Sequence, residues 1–151
     1  MLFRSYKEKS AIFVLELSSY QLDYSSRLPS SVSILLNVSP DHLERHKSFN
    51  KYISAKLKIF KGLRKKGVGF VDLSNDQKSK IFKILKSEKY NKKNIELIKK
   101  NYRHNIQDRF ISASLRGSHF KNCLYIVLQI AKLFRISKNI YLKTIKEDRK
   151  S

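Results

Sequence analysis

The sequence is poor in the residues that usually staple or punctuate a chain: among 151 residues it has one cysteine, two prolines, four glycines and no tryptophan. The single thiol, Cys123, excludes an internal disulfide and fits a reducing, cytoplasmic setting. No run approaches the roughly 18 apolar residues of a transmembrane helix, so no membrane span is expected. Even residues 123–136 are interrupted by Gln129 and Lys132. Residues 1–10 hold no apolar stretch of the kind that marks secretion. Acidic residues are scarce as well, 12 against 33 Lys+Arg, which leaves a formal net charge of +21. What is there is a 41% hydrophobic chain, too apolar to be wholly disordered and long enough for one core.

So large a charge suggests a nucleic-acid partner, but its distribution argues otherwise. Residues 1–60 hold 9 Lys+Arg and 5 acids, whereas residues 61–151 hold 24 and 7. The excess is mostly Lys (24 Lys, 9 Arg) and comes with 15 Ile and 9 Asn, residues whose codons are rich in A and T. Base composition accounts for that pattern better than ligand choice does. A base-reading surface favours Arg, whose planar fork matches guanine edges. Nonspecific phosphate attraction remains open to any chain this basic, and no specific nucleic-acid partner is expected.

Residues 11–17 (AIFVLEL) form an almost continuous apolar run, the pattern of a strand buried on both faces. Residues 31–38 (SVSILLNV) repeat it and end in Ser39-Pro40-Asp41, a turn and helix-start signal. Residues 49–60 have helical periodicity with Gly62 as a stop, and residues 67–73 (GVGFVDL) read as a third strand. Asn75 is placed to cap a helix through about Glu88. Residues 95–98 suit a short strand and 109–115 (RFISASL) alternate like another. Gly117 opens a helix from about His119 to Phe134, and Ser137 caps a last one to about Lys146. Strands alternating with helices imply an α/β domain, an incomplete doubly wound and largely parallel sheet. Ligands bind such sheets outside the carboxyl ends of the strands. Glu16 to Ser19, Asn37 to His42, and Gly117 to His119 fall at such ends.

Three residues there invite a chemical reading. Glu16 ends an apolar run, where a carboxylate either faces water or binds Mg²⁺, an ion that takes few carboxylates and keeps waters and phosphate oxygens. His42 and His46 stand at i and i+4, the spacing of a zinc pair, but no third ligand is apparent; Asp41 as a helix cap beside a surface imidazole is the plainer reading. Lys56 is the most informative. On a helical wheel Phe49, Tyr52, Ile53, Leu57 and Phe60 form one stripe, and Lys56 falls near its middle, while Lys51 and Lys58 fall on the opposite face. An inward lysine either snorkels its ammonium to an edge or is held as a neutral amine. A neutral amine can capture CO₂ to become a carbamate, which reverses its charge and makes a metal ligand.

Glu16-Leu17-Ser18-Ser19-Tyr20-Gln21-Leu22, then Leu36-Asn37-Val38-Ser39-Pro40-Asp41-His42-Leu43-Glu44-Arg45-His46, then Ser54-Ala55-Lys56-Leu57-Lys58-Ile59-Phe60 follow one another in order. Together they resemble the central ATP-binding domain of the Mur ligases, in particular the members that add D-glutamate in peptidoglycan synthesis. The resemblance is densest over residues 10–60 and continues over 109–148. It implies a cytoplasmic, ADP-forming ligase that uses ATP and Mg²⁺ to phosphorylate UDP-N-acetylmuramoyl-L-alanine. The amine of D-glutamate then attacks the acyl phosphate. It further implies Glu16 and His42 as Mg²⁺ ligands, Lys56 as the carbamylated lysine, and Ser18, Gln21, Asn37 and Asp41 along the muramoyl substrate. His119 and Asn122 would lie on the adenine side, although Phe120 stands where the family has its first asparagine and Asn122 comes one residue early.

The family's phosphate loop, G-x-x-x-x-G-K-[ST], begins at none of Gly62, Gly67, Gly69 or Gly117. Residues 1–151 therefore read as part of a central domain, without the uridine-nucleotide and D-glutamate domains of the family. Three expectations follow. One is a ligase fragment inactive alone, and another a split enzyme whose complementary chain carries the phosphate loop. The third is a basic module that reuses the scaffold to bind nucleic acid or acidic surfaces.

Overall fold

Residues in the sheet alternate between two apolar environments, and that alternation builds the layers. The computed structural model describes residues 12–73, 77–88, 90, 92–98, 118–137, 139–140 and 143. In chain order these give α1 (Ser19–Tyr24), β1 (Ser30–Leu35), α2 (Leu43–His46), α3 (Phe49–Leu57), a 3-10 turn (Lys58–Phe60), β2 (Leu63–Asp72), α4 (Lys78–Ser87), a second 3-10 turn (Lys92–Asn94), β3 (Ile95–Ile98) and α5 (Ser118–Leu133). The strands form one sheet in the order β1-β2-β3, with both pairs parallel. The expected open α/β architecture is therefore present.

Successive strand residues point to opposite faces. Leu35 and Val71 pack with Tyr52, Ile53 and Leu57 of α3 and Ile81 and Leu85 of α4. Phe70 and Ile98, with Val32, Ile34 and Val68 around them, pack against Tyr125 and Ile126 of α5. Helices thus cover both faces, and the two crossovers β1-to-β2 and β2-to-β3 contribute helices to the same face. Among the described residues no helix is long and apolar enough to cross a membrane.

Several expectations shift on contact with the structure. Residues 12–17 are not a strand: they carry no regular structure, and Ile12, Phe13 and Val14 are mostly exposed. An apolar run with two greasy faces becomes a strand only where a sheet edge pairs with it and layers cover it. Here β1 pairs with β2 alone among the described strands. β1 ends at Leu35, short of the expected Val38, although Val38 itself is buried. β2 starts at Leu63, four positions before the expected Gly67. Its pairing with β1 runs from Ser30↔Leu63 to Val32↔Val68, so residues 64–67 form an irregular bulge that periodicity does not reveal. α4 starts at Lys78 behind Gln77, later than a cap at Asn75 implies; Asn75 itself lies outside the described residues. The strand at 95–98 is present as expected. The strand expected at 109–115 lies outside the described residues, as does most of the helix expected at 137–146.

Gly62 does more than stop a helix. A Cβ built there would lie 1.6 Å from the Leu28 carbonyl oxygen, a backbone atom that cannot swing aside. The same peptide unit accepts the Ser30 N–H through the Gly62 carbonyl at 3.0 Å, fixing the start of β1 against the start of β2. Gly62→Ala should therefore cost about 3 kcal/mol, the upper end of overpacking changes. Urea unfolding of the substituted and unsubstituted chains measures it, and a midpoint unchanged by the extra methyl would contradict the close approach.

Candidate functional site

The segment after residue 15 turns into α1 through a reciprocal cap. Ser18 Oγ accepts the Gln21 N–H at 3.3 Å, and Gln21 Oε1 accepts the Ser18 N–H at 2.8 Å. This capping box satisfies two donors that a helix start would otherwise leave open. Ser18 and Gln21, both candidates for substrate contact, are exposed and share this structural duty. Glu16 is exposed in the segment just before them, and Asn37 is exposed just after β1.

Asp41 does not cap α2 as expected. Its Oδ1 accepts the N–H of the next residue, His42, at 2.9 Å, and His42 itself occupies the N-cap position. His42 holds the left-handed conformation (φ 51°), and Lys47 at the other end of the same single turn does so too (φ 63°). Non-glycine residues enter this region at a cost, so surrounding contacts must hold the turn in place. The His42 ring lies between two carboxylates, with Nε2 3.4 Å from Asp41 and Nδ1 3.8 Å from Glu44. His46 points elsewhere. It is buried, and its Nε2 lies 3.1 Å from Ser19 Oγ. The two histidines therefore do not form a chelating pair, and the zinc option is not supported by the geometry.

Lys56 is half-buried on α3 with its ammonium 5.3 Å from the centre of the Tyr52 ring. The wheel places it near the middle of the apolar stripe; in the structure Tyr52, Ile53, Leu57 and Phe60 of that stripe are buried and Lys56 only half so. Lys58 departs from the wheel. Instead of facing solvent it donates to Asp23 Oδ1 at 2.7 Å and to the Asp23 carbonyl at 3.1 Å. Lys58 opens the 3-10 turn after α3, and its long side chain is drawn from solvent by a partner on α1, 35 positions earlier.

Rings connect these pieces. Tyr20 meets His42 edge-on at 4.9 Å and His46 at 5.8 Å; His46 meets Tyr52 edge-on at 5.4 Å; Tyr52 underlies the Lys56 ammonium. Elements α1, α2 and α3 are thereby joined through one aromatic path from His42 to Lys56. The adenine-side candidates lie apart from it. His119 is in the first turn of α5. Asn122 is buried and donates to Asp72 Oδ1 at 3.1 Å, so its amide is engaged at the carboxyl end of β2. Sequence reasoning gave no role to Ser19, Tyr20 and Asp23, weighed His46 only for zinc and read Tyr52 only as core. The S-x-x-Q spacing of the capping box was available to find the first turn; the ring path spans too many residues to be read from spacing.

Among the described residues no three His, Cys, Asp or Glu side chains converge closely enough to hold a metal by themselves. The donors at hand, the Glu16 carboxylate and the His42 ring between two further carboxylates, suit an ion that takes one or two protein ligands and fills the rest with water and phosphate oxygens. The carboxylate oxygens of that set are of the kind Mg²⁺ takes.

Comparison with known proteins gives a consistent result. The family model described as the Mur ligase middle domain matches residues 1–141. The chain is similar to UDP-N-acetylmuramoylalanine--D-glutamate ligase of Rickettsia bellii (strain RML369-C), 33% identical over 150 residues, covering 89% of this chain and 32% of the relative. The enzyme of the same name from Rickettsia prowazekii (strain Madrid E) is 43% identical over 76 residues, covering 50% of this chain and 17% of the relative. That of Leptospira borgpetersenii serovar Hardjo-bovis (strain JB197) is 58% identical over 53 residues, covering 35% and 12%. The chain thus spans about a third or less of the length of the curated relatives it matches.

The Asp23–Lys58 clip has a pH signature. The lysine hydrogen bond holds the Asp23 carboxyl below the ordinary aspartate value of 3.8. A carboxyl lowered on folding stabilises the fold above its ordinary value, and the contribution disappears as pH falls through the lowered one. Thermal midpoints of the unsubstituted chain should therefore drop more steeply below about pH 4 than those of Asp23→Asn. Parallel curves for the two would contradict the clip.

Proposed function

The chain belongs to the Mur ligase family through its middle domain, and from that premise we propose that it is the central-domain part of a D-glutamate-adding ligase. The observation that carries this reading is the junction of three sequence motifs. Those holding Glu16 to Leu22, Asn37 to His46 and Ser54 to Phe60 fold onto α1, α2 and α3, which the ring path joins. The reaction is ATP-dependent amide formation in peptidoglycan synthesis, in the cytoplasm. ATP phosphorylates the carboxylate of UDP-N-acetylmuramoyl-L-alanine, the amine of D-glutamate attacks the acyl carbon, and phosphate leaves. Mg²⁺ bound here would offset the charge of the transferring phosphoryl group.

In this reading Glu16 and one ring nitrogen of His42 would hold the metal, while the other ring nitrogen would keep its carboxylate, Asp41 or Glu44, which fixes and polarises the ring. Ser18, Gln21, Asn37 and Asp41 lie along the muramoyl substrate, the first pair kept in place by their mutual cap. Lys56 has two settings. As an ammonium it rests on the negative face of the Tyr52 ring. As a neutral amine it takes up CO₂ and releases a proton, and the resulting anion is no longer attracted by that face. On the adenine side Asn122 is committed to Asp72. A complementary chain or further sequence supplies the phosphate loop.

A basic-module reading gains little by comparison. A groove of about 390 Å³ beside the bulge of β2 is lined by Lys65, Lys66 and Lys93, but Glu96 shares it. Lysine point charges beside a carboxylate suit nonspecific phosphate attraction more than sequence readout.

Labelling with ¹³C-bicarbonate tests the assignment of Lys56. One carbamate carbon resonance should appear and should vanish in Lys56→Arg. A resonance that persists in that variant, or none in the unsubstituted chain, would contradict it. The 151 residues tested alone should release no ADP with both substrates, ATP and Mg²⁺, since phosphoryl transfer depends almost wholly on positioning and charge stabilisation. Turnover by this chain alone would overturn that.

A further inference from the structure

His46 takes no part in the proposed chemistry, yet it stands at the centre of the site. It is 6% exposed, at the end of a helix of only four residues. Its Nε2 bonds Ser19 Oγ, which is 2% exposed, and its ring is wedged between Tyr20 and Tyr52. Those two tyrosines are the residues that touch His42 and Lys56, the first edge-on at 4.9 Å and the second under the ammonium at 5.3 Å. Neither α1, with six residues, nor α2, with four, can hold its own shape in water, since isolated helices need roughly 12–15 residues. The turn that presents His42 is further set between two left-handed residues. Something must fix its orientation, and among the described residues His46 is the buried side chain that ties it to both neighbours.

We infer that His46 is a positioning residue: through its hydrogen bond to Ser19 and its packing between Tyr20 and Tyr52, it sets where His42 and Lys56 stand relative to each other. The inference rests on the reading of those two residues as metal-site groups, but its geometric part can be measured without metal. A group that orients ligands from behind changes metal affinity while leaving the ligands themselves intact. The bond is specific to the far ring nitrogen, which Gln can imitate and Phe cannot.

The test uses the isotope-labelled 151-residue chain, with His46→Phe, His46→Gln and Ser19→Ala. Ile98→Val, in the core beneath α5, serves as a stability control away from the site. Without metal, nuclear Overhauser contacts between Tyr20 and His42, and between Tyr52 and Lys56, should weaken in His46→Phe and Ser19→Ala and return in His46→Gln. Signals of β2 and β3 should stay in place throughout. With Mn²⁺ alone as the probe, the concentration that broadens His42 and Lys56 together should rise about tenfold in the first two variants and return in the third. It should not move in Ile98→Val. If His46→Phe does not fold, Ser19→Ala alone decides, because it removes one hydroxyl. Ring contacts unchanged in Ser19→Ala, or no rescue by Gln, would overturn the inference. If Mn²⁺ broadens neither signal in the unsubstituted chain, the metal-site reading fails, while the metal-free contacts still decide the role of His46.

Discussion

A hydrogen bond between two buried side chains, His46 on α2 and Ser19 on α1, governs the geometry of the candidate site. Short helices owe their shape to what they pack against, and both of these helices are short. Burial strengthens the dependence: a polar atom shut away from water costs about 1–3 kcal/mol if left without a partner, so His46 and Ser19 must meet or both lose. Once they meet, the rings of Tyr20 and Tyr52 have one arrangement around the imidazole. His42 and Lys56 inherit their positions from it. Asp23 and Lys58 add a second, more exposed tie between the end of α1 and the turn after α3.

The sheet supplies the platform on which this junction sits. Parallel strands require crossovers, and the crossover between β1 and β2 carries α2 and α3 over the sheet. Residues that follow β1 and lead into α3 are thereby brought to the carboxyl side of the strands, where α/β sheets bind ligands. Gly62 closes the loop by letting the backbone near Leu28 touch the entry to β2. At the far side, α5 seals the other face, and its Asn122 grips Asp72 at the end of the central strand. The nucleotide-side candidate is thus spent on holding helix to sheet.

Much of this was legible in the sequence, and the reasons differ by element. The apolar runs of β1 and β2, the periodicity of α3 and the short strand at 95–98 are local patterns, and the fold class followed from their order. That Lys56 leaves the solvent face was likewise a matter of angle along one helix, although it is half-buried and not fully inward. What spacing could not give was anything that depends on a distant partner. Residues 12–17 carry a strand's composition but have no described neighbour to pair with, so they stay exposed. Lys58 leaves the wheel because its partner, Asp23, stands on another helix 35 positions earlier. The spacing of His46 from His42 offered only a zinc pair without a third ligand, whereas its partner is Ser19, 27 positions earlier. The family resemblance named the motifs without revealing the contact that joins them.

The coupling between Ser19 and His46 tests this account most directly. A double-mutant cycle with Ser19→Ala and His46→Phe, read by urea unfolding, isolates their pairwise interaction from the loss of either side chain alone. A coupling of about 1–2 kcal/mol is predicted, the range for buried residues in direct contact. Strictly additive effects of the two substitutions would contradict it, and would leave α1 and α2 tied only by more exposed contacts such as Tyr20 to Glu44 and Arg45 to Tyr24.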